Sequence, residues 1–224
     1  MNKNAKYWFL ENFDFMKKLG KNDLMKLSDS LEMVYLKKGD LIQYSQKPDQ
    51  LVIFLKKGSV KIVNRSTEAV KYIIGEGNVF GVLNLNENNI DPVSEEVAIC
   101  LEETMICYIP KEEMRSILKE YPSLKNSIIK IQSLRINRLE RRLSDLLYKS
   151  SNLRIKEFIY SFAKNYGQKN GKIIHVKNTL THKDIAHLTN TSRQTVNNVI
   201  SKMRKQGEIE YSRKEITILI DFGA

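Results

Sequence analysis

The sequence predicts an α+β chain with an N-terminal sandwich or jelly roll of short strands, one long connecting helix, and a C-terminal helix-turn-helix with a β-wing. Three observations predict it. Short apolar runs punctuated by turn residues recur from Leu31 to Pro110. An apolar seam at near-heptad spacing follows Pro122. The stretch Leu180–Ile220 then reads as helix, tight turn, helix and hairpin.

Residues 5–30 look like short helices, with Trp8, Phe9, Phe13, Phe15, Leu19, Leu24 and Leu27 as apolar anchors. The texture changes at about Leu31. The runs MVYL, DLIQY, QLVIFL, SVKIV, VKYII, VAICL and TMICYI are strand-like. Turns fall at Lys38-Gly39-Asp40, Lys47-Pro48-Asp49, Lys57-Gly58 and Gly75-Glu76-Gly77. Many short strands at this spacing suggest a sandwich or jelly roll.

Lys111 to Tyr121 reads as a short helix, and Pro122 fits the first turn of the next, which runs from about Ser123 to Tyr148. Its seam is Ile129, Ile136, Leu139, Leu143 and Leu146, with Leu124, Ile128 and Ile131 beside it. Arg135, Arg138, Arg141 and Arg142 mark the opposite face. Such a helix either packs on its own β domain or zips to a second copy. Ser150-Ser151-Asn152 reads as a hinge. The expected organisation is residues 1–121, 122–149 and 150–224.

In the last part, a helix from roughly Lys183 to Thr189 precedes the turn Asn190-Thr191. Ser192 stands as N-cap of a helix from Arg193 to Gln206 whose apolar positions are Val196, Val199, Ile200 and Met203. Arg193, Gln194, Asn197, Asn198 and Lys202 fall on its other face, residue types that hydrogen-bond base edges and phosphates in a major groove. Gly207 ends the helix, and Ile209–Tyr211 pairs with Glu215–Ile220 around Ser212-Arg213-Lys214. Amphipathic helix pairs are common and most bind nothing. A polar reading face directly after a short turn, beside a basic wing, shifts the expectation to DNA.

A net charge of +11 over 224 residues agrees, and the final third is the more basic part. Charge alone fits membranes or acidic partners equally. The N-terminus lacks the apolar run of a signal peptide, and no stretch approaches the roughly 20 apolar residues of a membrane span. With two cysteines, a disulfide framework is not expected, and a cytoplasmic protein without a membrane partner fits best. No Gly-rich phosphate loop, HExxH or paired-Cys motif suggests an enzyme.

The order of elements resembles the Crp/Fnr family of bacterial transcription regulators. The most specific match is LTHKDIAHLTNTSRQTVNNVI, similar to the family's LTxxxIAxxxGxSRxTVxRxL. KKGDLI, LVIFLKKGSVKI, GNVFGVLNL and IPKEEM support it. The resemblance implies a cyclic-nucleotide-binding-like β-roll effector domain, a dimerisation helix and a winged helix-turn-helix. It also implies a homodimer on a palindromic double-stranded operator in contact with RNA polymerase. Arg193 matches the guanine-reading arginine, Ser192 and Thr195 match phosphate-binding hydroxyls, and Thr181 and Lys183 match the phosphate-contacting start of the preceding helix. Gln194 and Asn198 depart from the cAMP receptor's Glu and Arg, so a different operator is expected.

The effector cassette matches poorly. Gly81-Val82-Leu83-Asn84 stands for GELG, so Val82 replaces the ribose-binding Glu. Ser94-Glu95 replaces the Arg-Ser pair, placing a carboxylate where a cyclic phosphate would sit. Leu139-Glu140 replaces the purine-contacting Thr-Ser. No Arg or Lys lies between Lys71 and Lys111. The expectation is a regulator that does not use the usual cAMP contacts, with no cofactor or metal identified and an effector, if any, unknown. Val82, Leu83, Leu85 and Leu139 leave an apolar ligand or a filled pocket open. Four cysteines would be needed for the fumarate-nitrate branch's iron–sulfur cluster, and two are present. His175, His182 and His187 all fall in the DNA-binding part. If Glu103-Thr104 is a two-residue hairpin turn, Cys100 and Cys107 lie opposite each other as a redox pair. Otherwise both fill small core positions. A constitutive regulator and a thiol-responsive one are the alternatives.

Overall fold

The computed structural model describes residues 13, 20–45, 50–83 and 96–219. The chain forms two compact units, Met1–Arg138 and Leu139–Ala224, whose boundary falls inside the long helix.

The first unit opens with helix α1, Lys21–Ser30, followed by strands β1 (Glu32–Leu36), β2 (Leu41–Gln43), β3 (Leu51–Lys57), β4 (Ser59–Asn64), β5 (Val70–Gly75), β6 (Val79–Gly81), β7 (Glu96–Cys100) and β8 (Thr104–Pro110). All seven strand-like runs of the sequence become strands. The short β6 escapes that reading because it offers only Val79 and Phe80 before Gly81. The strands form two four-stranded antiparallel sheets, ordered β1-β8-β3-β6 and β2-β7-β4-β5.

Strand β3 shows why the sequence runs apolar without a break. Successive side chains point to opposite faces, and here both faces are covered. Ile53 and Leu55 join Ile42, Val60, Ile62, Phe80, Ala98 and Cys100 in a core between the sheets. Val52 and Phe54 join Leu24, Leu27, Met114, Leu118, Leu124 and Ile128 in a second core beneath the helices. Phe13 is buried against Phe54, edge to face at 5.7 Å. Trp8, Phe9, Phe15 and Leu19 lie outside the described residues, as does the turn at Lys47-Pro48-Asp49.

The Cys100–Cys107 hairpin is not formed. Strand β7 belongs to one sheet and β8 to the other. Cys100 faces Val60 across its ladder, while Cys107 faces Met33 and Phe54. The segment between them crosses from sheet to sheet instead of turning back. Neither cysteine is in a disulfide, and both are buried, in different cores.

Helix α2 (Lys111–Glu120) leads into the long helix α3 (Pro122–Tyr148). The first turns of α3 bury Leu124 and Ile128 in the β domain's own core, whereas Ile129, Ile136, Leu139 and Leu143 are about half exposed and Leu146 is partly buried. Self-packing and an open apolar seam therefore share one helix at different heights.

The second unit contains the end of α3, then α4 (Ser151–Tyr166), β9 (Gln168–Asn170), β10 (Ile173–Lys177), α5 (His182–Thr189), α6 (Arg193–Lys205), β11 (Ile209–Tyr211) and β12 (Glu215–Leu219). The sequence reading anticipates α5, α6 and the wing but not α4, β9 and β10. The wing is thus part of a four-stranded antiparallel sheet, β11-β12-β10-β9. Ile155, Ile159 and Phe162 of α4 are buried, as are Ile185, Val196, Ile200, Met203 and Ile216. Ser150, in the segment expected to be a hinge, is the N-cap of α4: its hydroxyl oxygen accepts from the Leu153 amide at 3.3 Å.

Candidate nucleic-acid interface

Helix α5 begins one residue before the expected Lys183. Thr181 is its N-cap, and its hydroxyl oxygen accepts from the Asp184 amide at 3.1 Å while the Asp184 carboxylate accepts from the Thr181 amide at 2.9 Å. This reciprocal capping box satisfies two amides that a helix start leaves without partners. Asn190 ends the helix in the left-handed conformation, φ +50°. It stands where the motif has Gly, and Asn is the residue type that best tolerates that backbone after Gly.

Ser192 caps α6, accepting from the Thr195 amide at 3.0 Å. The Ser192 and Thr195 hydroxyls are also 2.8 Å apart. Only one of the two hydroxyl hydrogens is used in that bond, so the other remains to meet a phosphate oxygen at a helix N-terminus. Val196, Val199, Ile200 and Met203 turn inward. Arg193, Gln194, Asn197, Asn198 and Lys202 are exposed together on the outer face, with Thr195 partly buried at its edge. The Gln194 side-chain amide donates to the Asn198 oxygen at 3.2 Å. Thr181 and Lys183 are exposed at the start of α5.

The wing adds groups that the residue-type argument leaves out. Ser212 closes the tip: its amide donates to the Glu215 carbonyl at 2.9 Å, and its hydroxyl oxygen accepts from the Lys214 and Glu215 amides at 3.2 and 3.0 Å. Asn178 buttresses it, donating from Nδ2 to the Ser212 carbonyl at 2.7 Å. Arg213 and Lys214 are exposed there. An open groove of about 590 Å³ between α6 and the wing is lined by Ser201, Arg204, Lys205, Tyr211, Ser212 and Thr217 among others. Its cations were legible as charge, but their shared groove needed the four-stranded sheet. His182 packs on Tyr211, ring centroids 5.5 Å apart.

Gly81, Val82 and Leu83 of the effector cassette have structural partners. Gly81 has φ +97°, and a Cβ there would lie 2.3 Å from the Leu51 carbonyl oxygen. The Val82 amide donates to that carbonyl at 2.9 Å. Val82 packs on the core between the sheets, and Leu83 is buried in the other. The Leu83 carbonyl accepts from Gln132 of α3 at 2.7 Å. One turn along, Arg135 donates to the Tyr72 hydroxyl at 2.6 Å and lies over its ring. Tyr44 donates to Glu96, which also pairs with Lys71. Burial holds the Tyr44 phenol well above its ordinary range, and nearby Tyr72 and Glu96 act in the same direction. Arg135 and Arg142 are accordingly half-buried rather than fully solvated, contrary to the simple opposite-face reading. Leu139 is exposed, and Ser94, Glu95 and Leu85 lie outside the described residues.

Burial raises the Cys100 thiol, outweighing a hydrogen bond from Thr104. A raised thiol holds less thiolate, the reactive form.

Two domain families match the chain: the cyclic nucleotide-binding domain over residues 33–121 and the Crp-like helix-turn-helix domain over residues 137–220. The chain belongs to the Crp/Fnr family. It is 24% identical over 196 residues to the CRP-like cAMP-activated global transcriptional regulator of Mycobacterium tuberculosis, covering 86% of each chain. It is 28% identical over 175 residues to the global nitrogen regulator of a Nostoc species, covering 76% of this chain and 78% of that one. Among solved structures, a CooA mutant from Carboxydothermus hydrogenoformans shares the fold with a TM-score of 0.67 at 21% identity, over 86% of this chain and 85% of that one. This Crp/Fnr chain therefore has the expected β-roll, long helix and winged helix-turn-helix. Among the described residues no helix is long and apolar enough to cross a membrane.

Proposed function

We propose that this Crp/Fnr chain is a homodimeric, sequence-specific DNA-binding transcription regulator and not an enzyme. The observation that carries the reading is the exposed stripe Arg193, Gln194, Asn197, Asn198 and Lys202 on a helix capped by Ser192 and set behind a fixed turn. Arg193 reads guanine through its two-pronged guanidinium, and Gln194 and Asn198 choose an operator distinct from the cAMP receptor's. Ser192, Thr195, Thr181 and Lys183 hold phosphates, and Arg213 and Lys214 of the wing add to them. Ile129, Ile136, Leu139, Leu143 and Leu146 form the dimer seam, so that two reading helices meet two half-sites of a palindromic operator. RNA polymerase is the partner through which bound protein acts, in the cytoplasm.

Regulation does not run through the usual cAMP contacts. Val82 and Leu83 are spent on packing, and Gln132 and Arg135 already tie α3 to the β-roll. This favours a regulator competent without a ligand. A thiol switch finds no support in Cys100 and Cys107, which sit in separate cores.

Selection of random duplex DNA by the purified, ligand-free protein tests the reading, with gel shifts across a salt series. A tight palindromic site with a steep salt slope is expected. Weak binding with no selected sequence contradicts it.

A further inference from the structure

The carbonyl end of α5 carries the partial negative charge of a helix C-terminus, and two guanidinium groups converge on it. Arg142, from the last turns of α3, donates to the His187 carbonyl at 3.2 Å. Arg154, from the first turn of α4, donates through Nε to the Thr189 carbonyl at 3.0 Å and through Nη2 to the Asn190 carbonyl at 3.2 Å. Its third bond, from Nη1, goes back to the Lys149 carbonyl at 2.7 Å. Lys149 in turn bridges Asp145 of α3 and Glu157 of α4, at 2.7 and 2.5 Å. The α3–α4 corner, the end of α5 and the turn before α6 are therefore joined by one set of side chains. A rigid fork suits this better than a lysine, because three carbonyls are met by one group.

We propose that Arg142 and Arg154 are positioning residues for DNA reading. They lock the turn before the recognition helix to the Leu139–Tyr148 end of α3, so that this helical end and α6 turn as one body. Neither side chain needs to touch DNA. The proposal rests on the paired half-site reading above. It adds that half-site spacing is set along α3 and delivered to α6 without play at Ser150.

The test uses the full-length protein and its selected operator, with a series in which the half-sites are moved one or two base pairs closer or farther. The parent is expected to bind the native spacing at least about tenfold more tightly than the altered ones, since each step misplaces one reading helix in the groove. Arg154→Ala with Arg142→Ala is expected to cut that preference to about threefold, with Arg154→Lys intermediate. Cooperative thermal unfolding and circular dichroism verify that each variant is folded. Should the double variant fail to fold, Arg142→Ala alone, which removes the bond to the His187 carbonyl and leaves Arg154 in place, carries the test. Folded variants that keep the parental spacing preference overturn the positioning role and leave the DNA-reading function intact. A parent with no preference for paired half-sites overturns both.

Discussion

The guanidinium of Arg135 donates to the Tyr72 hydroxyl at 2.6 Å and stacks 5.0 Å from the centre of its ring. One residue of the long helix thus holds one residue of the β-roll by a charge-assisted bond and a cation–π contact. Burial is the main reason that the Tyr72 phenol is pushed up to about 12, against the lowering effect of Arg135. A folded-state value above the unfolded value of 10 stabilises the fold while the phenol is protonated, and that stability drains as pH rises from 10 through 12. Urea denaturation at pH 9, 10 and 11 should show stability falling over the last step. Tyr72→Phe should be less stable at pH 8 by about 1 kcal/mol, for a lost hydrogen bond, yet flatter above pH 10. An unchanged alkaline slope in the variant contradicts this assignment.

Gly81 anchors the loop whose sequence departs from the effector cassette. Its φ is positive, and any side-chain carbon added there would lie 2.3 Å from the Leu51 carbonyl oxygen, which leaves no room for substitution. Gly81→Ala should cost at least about 1–3 kcal/mol by thermal or chemical unfolding. A neutral result would mean that the loop backbone moves freely away from β3.

Leu139 and Leu143 are 55% and 58% exposed on the single chain, next to each other on one helical face. Sedimentation of the parent should give a dimer, and Leu139→Glu with Leu143→Glu should give a folded monomer, because two carboxylates cannot be buried in an apolar seam. If the double variant remains dimeric, the seam lies elsewhere.

Asn190 explains how a motif can lose its glycine and keep its turn. Asn190→Gly should leave stability within about 0.5 kcal/mol, whereas Asn190→Val should lower it by about 1–2 kcal/mol, since a β-branched side chain resists φ +50°. Equal melting temperatures for the two variants would contradict the role of the turn.

Much of this fold was legible because its signals are local. Short apolar runs bounded by turn residues mark β1 to β5, β7 and β8, and 3-4 spacing with a cap marks α6. Ser192 emerges at the start of α6 because a short hydroxyl side chain caps it, whereas Thr181 is singled out by the resemblance and its capping role appears in the structure. The remainder depends on distant partners. Strand β9, Gln168-Lys169-Asn170, is polar and exposed throughout and so carries no apolar signal, and β6 offers only Val79 and Phe80 before Gly81. The two cysteines are seven positions apart, but whether the chain turns back or crosses to the other sheet is set by what each strand packs against. Arg142 reads only as one charge of a basic helix face and Arg154 gives no signal, since their acceptors are main-chain carbonyls that have no letter in the sequence.

The most direct measurement of the central claim is the affinity of Arg193→Ala for the selected operator and for unrelated DNA at the same salt. Loss of about 1–3 kcal/mol on the operator, with little change on unrelated DNA, is the predicted result for a side chain that reads a base. Equal affinity of variant and parent for the operator would contradict the reading of α6 as the recognition helix.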